Sequence, residues 1–136
     1  MGRRVRAGDR SILDVLLGMD KQFKLGPDDL RPLATGRGGC VATDGIVVDG
    51  RLVGVMIREA TNRPNDSGWM FEGAGESPEE VTDRSRWGVY DVNTIANYDP
   101  AIIEHLDAPP GTVCLRDPSG IIRLPEGAAR AFLSRE

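Results

Sequence analysis

Apolar and polar positions repeat with two different periods along this chain. Near the start, Ile12, Leu13, Val15, Leu16, Leu17 and Met19 crowd a wide stripe at helical spacing. Ser11 stands where an N-cap belongs, so the pattern predicts a helix from Ser11 to about Lys21. Residues 1–10 before it read as a flexible basic arm. Gly26-Pro27 ends the helix or opens a turn, and Asp28-Asp29-Leu30-Arg31 begins another short helix. Gly36-Arg37-Gly38-Gly39 is a hinge-like loop. It divides a basic arm and helical extension, residues 1–38, from a domain over residues 39–136.

Beyond that loop the period falls toward two. Cys40–Thr43, Ile46–Val48 and Leu52–Ile57 read as three strands joined by the tight-turn dipeptides Asp44-Gly45 and Asp49-Gly50, which predicts an antiparallel meander. Thr61 to Gly68 is polar, carries Pro64 and reads as a surface loop. Within it Asp66 and Ser67 form a side-chain-bonded turn that gives Gly68 a positive φ. Trp69–Phe71 resumes a strand. Ser77-Pro78-Glu79-Glu80 carries the marks of a helix start, with a capping serine, proline at the first position and carboxylates at the positive dipole end. Trp87–Val92 is a strand that Asn93 breaks. Asp99 caps a short helix opened by Pro100 and stopped by Pro109-Pro110-Gly111. Thr112–Arg116 and Ile121–Leu124 form a hairpin, and Ala128–Leu133 a last helix. The sum is α+β, a mostly antiparallel sheet with helices packed on one side.

Composition narrows the function classes. The chain has 136 residues, enough for one domain with a real core. Apolar residues make up 40% and charged residues 28%, ordinary for a globular protein in water. No apolar run is long enough to span a membrane. The basic start followed by a run broken at Asp14 is not a secretory signal. With only Cys40 and Cys114, reduced thiols in a cytoplasm are the expectation. The net charge of -4 conceals an asymmetry: Glu59 to Asp107 carries 11 acidic and 3 basic residues. That field repels phosphates and argues against nucleic acid as a ligand, but it can steer a basic protein partner.

Chemistry-bearing motifs are sparse. His105, the sole histidine, has no Cys or His at ligand spacing, so neither a metal nor a cofactor is predicted. The loops Gly36–Gly39 and Gly73–Gly75 lack the continuation of a phosphate-binding loop. Ser67 is not in a nucleophile elbow. Asp91, with Asn93 and Asn97 close after it, is the best candidate for a role beyond structure. It carries the alternative of a small hydrolase-like enzyme, or of a non-catalytic domain that binds a ligand or peptide. Asp66, Trp69, Glu72, Glu76, Glu79 and Glu80 lie on or beside loops with room for a protein partner. In that reading Trp69 is the anchor and the carboxylates are the rim, and the competing reading puts Trp69 in the core.

Five segments appear in a characteristic order: Gly39-Cys-Val-Ala-Thr-Asp44, Val53-Gly-Val-Met-Ile-Arg-Glu59, Asp66-Ser-Gly-Trp69, Gly88-Val-Tyr-Asp-Val-Asn-Thr-Ile-Ala-Asn-Tyr-Asp-Pro100 and Leu106-Asp-Ala-Pro109. Over roughly residues 39–116 the chain resembles the bacterial DUF2185 family, also described as the immunity protein Imm33 domain. The resemblance implies a bacterial immunity protein of a polymorphic toxin system, which binds and occludes its cognate toxin and has no reaction of its own. It leaves open a homodimer. Two departures stand out: the added segment 1–38, and Ala60-Thr-Asn-Arg-Pro-Asn65 in place of a strongly acidic run before Asp66.

Overall fold

The computed structural model describes residues 21–134. The helix predicted at Ser11–Lys21 lies outside the described residues except for Lys21. In chain order the elements are β1 (Gly39–Thr43), α1 (Asp44–Val47), β2 (Val53–Arg58), β3 (Asp66–Gly73), α2 (Pro78–Thr82), β4 (Trp87–Asp91), α3 (Val92–Tyr98), a 3-10 helix (Pro100–His105), β5 (Val113–Asp117), β6 (Gly120–Arg123) and α4 (Glu126–Leu133). Short 3-10 turns also form at Pro27–Asp29 and Arg84–Arg86. The strands make one sheet in the order β4-β1-β3-β2-β5-β6. Its pairings are antiparallel except β1 with β3, which run parallel. The architecture is α+β, as the periodicity indicates.

The meander does not form. Ile46–Val48 is predicted as a strand on its β-branched residues, yet the chain turns into α1 directly after β1, with Gly45, Ile46 and Val47 buried. Burial decides the matter. Both sides of β1 are already taken, by β3 and β4, so no slot remains for an adjacent Ile46–Val48 strand. Ile46 and Val47 instead fill the core beneath α3, at 0% and 1% exposure. Asp44-Gly45 is therefore a helix start and not a hairpin turn.

A second difference lies at the end of β4. Asn93 does not simply break the strand; Asp91 caps α3, its carboxylate accepting from the Asn93 N–H at 2.8 Å. The expected cap follows immediately, with Asp99 accepting from the Ala101 N–H at 3.1 Å and Pro100 at the first position. Ser77 caps α2 in a full capping box with Glu80. The β5–β6 hairpin turns at Asp117–Gly120, where Gly120 has φ +130°.

Two apolar clusters flank the sheet. The larger joins Cys40, Ala42, Met56 and Phe71 of the strands to Ile46, Val92, Ile95, Ile102 and Leu106 of the helices. The smaller, on the other face, is Ile57 and Val113 under Ala129 of α4. One buried ion pair ties the larger cluster to the strands. The Asp99 carboxylate accepts from the Val53 N–H at 2.9 Å and from the Arg116 guanidinium. Among the described residues, no helix is long and apolar enough to cross a membrane.

Candidate functional site

The entry of β3 is the least regular part of the sheet. Register with β1 jumps from Gly39 opposite Asp66 to Val41 opposite Met70, a bulge in β3. Side chains stabilise it locally. The Asp66 carboxylate accepts from the Gly68 N–H at 3.0 Å and from the Thr61 hydroxyl at 3.1 Å. The Ser67 hydroxyl donates to the Gly39 carbonyl at 2.6 Å and accepts from the Trp69 N–H at 3.1 Å. Gly68 has φ +80°, as predicted from the turn chemistry. The bulge and the loop before it wall a cleft of about 430 Å³, whose lining includes Val41, Glu59, Arg63, Asp66, Met70 and Val89.

This cleft has an apolar floor and an acidic rim. Val41 and Val89 face each other directly across β1 and β4, yet 37% of Val41 and 77% of Val89 is exposed. An exposed cross-strand pair of β-branched residues is apolar surface without a cover among the described residues. Gly39 is flanked by Asp66 on β3 and by Asp91 on β4, so two carboxylates stand on either side of one residue. Exposed Glu59 adds a third, against the Arg63 guanidinium 3.7 Å from Asp66. Hydrogen bonds from Gly68 and Thr61 hold the Asp66 carboxyl below the usual range. The Cys40 thiol beneath is pushed up to about 12, by burial first and then by Asp91 and Asp66.

The predicted contact residues do not form one surface. Trp69 is 2% exposed, stacked on Phe71 with ring centroids 6.0 Å apart, and its indole N–H donates to the Leu106 carbonyl at 3.2 Å. The Arg58 guanidinium lies 5.7 Å from its ring centroid. Trp69 is thus a core residue and not an anchor, because alternation along β3 turns it toward the helices. The Glu76 side chain is 1% exposed. It accepts from Thr43, from the Gly73 N–H at 2.6 Å and from Arg86 at 3.3 Å, a clasp joining β1, β3 and the turn before β4. Glu79 is exposed and Glu80 partly so, both on α2, and the Glu80 carboxylate is engaged by the Ser77 N–H at 2.8 Å. Glu72 is half-buried in β3 opposite Val55. The eight residues of β3 span roughly 23 Å and separate the Asp66 end from the Glu76–Glu80 end.

Asp91, Asn93 and Asn97 are brought together, but on main chain. Asp91 caps α3, while Asn93 and Asn97 project from α3 onto residues 31–34 and bond only backbone there. Among the described residues, no group of three His, Cys, Asp or Glu side chains could hold a metal ion. The sequence names Glu76 as a rim residue but not as a buried clasp, and it does not single out Arg58, Arg116 or the valine pair. The alternation of Val89 with Tyr90 was a readable signal for the last; the others depend on partners distant in sequence.

Residues 40–124 match the family model described as the immunity protein Imm33 domain. The chain belongs to the Imm33 family. No curated protein and no solved structure matches it. The Imm33 match takes in the sheet from Cys40 to the end of β6, the three helices α1–α3 and the Asp66 cleft. It leaves out α4 and residues 21–38, of which Asn93 and Asn97 bond the backbone of residues 31–34. The floor and most of the rim of the cleft are therefore parts of the Imm33 domain itself.

Proposed function

We propose that this Imm33 protein is an immunity protein that binds a cognate bacterial toxin and neutralises it by occlusion, with no reaction of its own. The family match over residues 40–124 carries this reading. The contact surface we assign is the open part of the sheet around Val41 and Val89, with Glu59, Asp66 and Asp91 as its rim. Exposed apolar surface ringed by charge is the common anatomy of a protein interface. The rim favours a toxin surface that presents an apolar side chain among lysines and arginines, and it steers such a partner's approach.

Co-expression with the toxin-like product of a neighbouring gene, followed by measurement of growth and of affinity for the purified pair, tests this. The wild-type chain should restore growth, and Val89→Arg should weaken binding at least tenfold with an unchanged melting temperature. A chain that binds no neighbouring product removes the immunity reading. Equal affinity of Val89→Arg and wild type removes the assigned surface but leaves the function standing.

A further inference from the structure

Residues 31–34 run across α3, held there by the side-chain amides of Asn93 and Asn97 and by Ala34, which packs in the larger apolar cluster. The Arg31 N–H donates to Asn97 Oδ1 at 2.9 Å. The Leu33 and Ala34 N–H groups both donate to Asn93 Oδ1 at 2.8 Å. The Arg31 carbonyl accepts from Asn93 Nδ2 at 2.8 Å and from Asn97 Nδ2 at 2.9 Å. Asn97 Nδ2 also donates to the Asn93 carbonyl at 2.8 Å, which fixes the pair of amides in one orientation. Every bond made to the segment goes to its backbone. The side chains of Arg31 and Leu33 are left out in solvent, Leu33 at 43%, and only Ala34, at 6%, is buried.

Two amides one helical turn apart that bond both N–H and C=O of a passing chain form a receptor for a short turned backbone, here one in which the Leu33 N–H also bonds the Arg31 carbonyl at 2.9 Å. They read no side chain, and the one steric requirement is a small residue where Ala34 sits. We propose that Asn93 and Asn97 form a peptide-binding site of the Imm33 domain, which residues 31–34 occupy in cis as a displaceable internal ligand. The occupant lies outside the family match and the receptor inside it. Gly36 at φ +80° and Gly38 at φ +92° separate the two, giving a connection that bends where other residues are strained. Neutral amide bonds to partly exposed backbone are individually weak, and Ala34 is the segment's one buried side chain, so release of the segment uncovers a single methyl group of the larger cluster. The ligand class is a short turned peptide carrying a small residue, such as a loop or tail of a protein partner. The site is distinct from the Asp66 cleft, and its test needs no toxin.

The probe is a labelled synthetic peptide of residues 30–36, titrated into the full chain. A tethered segment competes at millimolar effective concentration, so the wild type should bind the probe weakly. Leu33→Pro removes a donor to Asn93 and leaves α3 intact, so it should bind the probe at least tenfold more tightly. Adding Asn93→Ala to Leu33→Pro should abolish that gain. Hydrogen exchange on the wild type gives a second measurement without any variant. The Arg31, Leu33 and Ala34 amides should exchange at least a hundredfold faster than those of β2 and β3. Equal probe affinity for wild type and Leu33→Pro overturns the proposal. So does exchange of the three amides only at the rate of global unfolding.

Discussion

Trp69 and Glu76 show how one residue type at one position can be read two ways until its neighbours are known. A tryptophan beside a polar loop suits an interface; stacked on Phe71 with its N–H on Leu106, it belongs to the core. Trp69→Ala should therefore cost about 3–5 kcal/mol of stability, the usual range for a large aromatic removed from a core. Chemical denaturation checks this, and a loss below 1 kcal/mol would return Trp69 to the surface. Glu76 reads as one more acidic residue in an acidic stretch. In the fold it is hidden, and a Cβ at Gly45 would stand 2.4 Å from its carboxyl carbon. The Ser77 and Asp99 caps were legible because a cap acts on the next turn of its own helix. The bond from Arg116 to Asp99 was not, since it joins residues 17 apart through the sheet.

At the scale of elements, local signals succeeded where the partners are close in sequence. The β5–β6 hairpin, the start of α2 and the positive φ at Gly68 follow from turn chemistry over a few residues. Gly68 also has a steric reason that only the fold supplies. A Cβ there would lie 2.1 Å from the Glu59 carbonyl oxygen, across the bulge that shapes the cleft. Gly68→Ala combines that clash with backbone strain, so it should destabilise by more than ~2 kcal/mol and should disorder the Asp66 cleft. A melting curve with the wild-type midpoint would show that the bulge can relax. Ile46–Val48 went the other way, because β-propensity gave way to burial at a position with no free strand neighbour.

For the whole molecule, the buried titratable groups set a limit at high pH. The Cys40 thiol rises from its ordinary value of 9.0 to about 12, chiefly by burial. Tyr90 rises from 10.0 to about 12 for the same leading reason. In the unfolded chain both lose their protons first, so the native state binds more protons between those limits. Their contribution is intact below pH 9 and is lost as pH climbs from 9 toward 12. For Cys40 the loss runs at up to ~1.4 kcal/mol per pH unit. Melting temperature should fall across that interval, and Cys40→Ala should make the fall shallower. Parallel curves for the two proteins would place the alkaline transition elsewhere.

The sequence by itself determined the class of fold, four of the caps and turns, the positions of the six strands, and the family, since each rests on periodicity or on residues adjacent in the chain. Only the tertiary structure decided the parallel pairing of β1 with β3, the helix at Asp44–Val47 and the division of the acidic residues into rim and clasp. It also placed Asp91 as the cap of α3 and the Asn93 and Asn97 amides against the backbone of residues 31–34. The physical reason is common to all of them. Alternation fixes which side chains share a face, but which face is covered depends on the order in which strands meet, and that order is set by contacts between residues far apart in the chain.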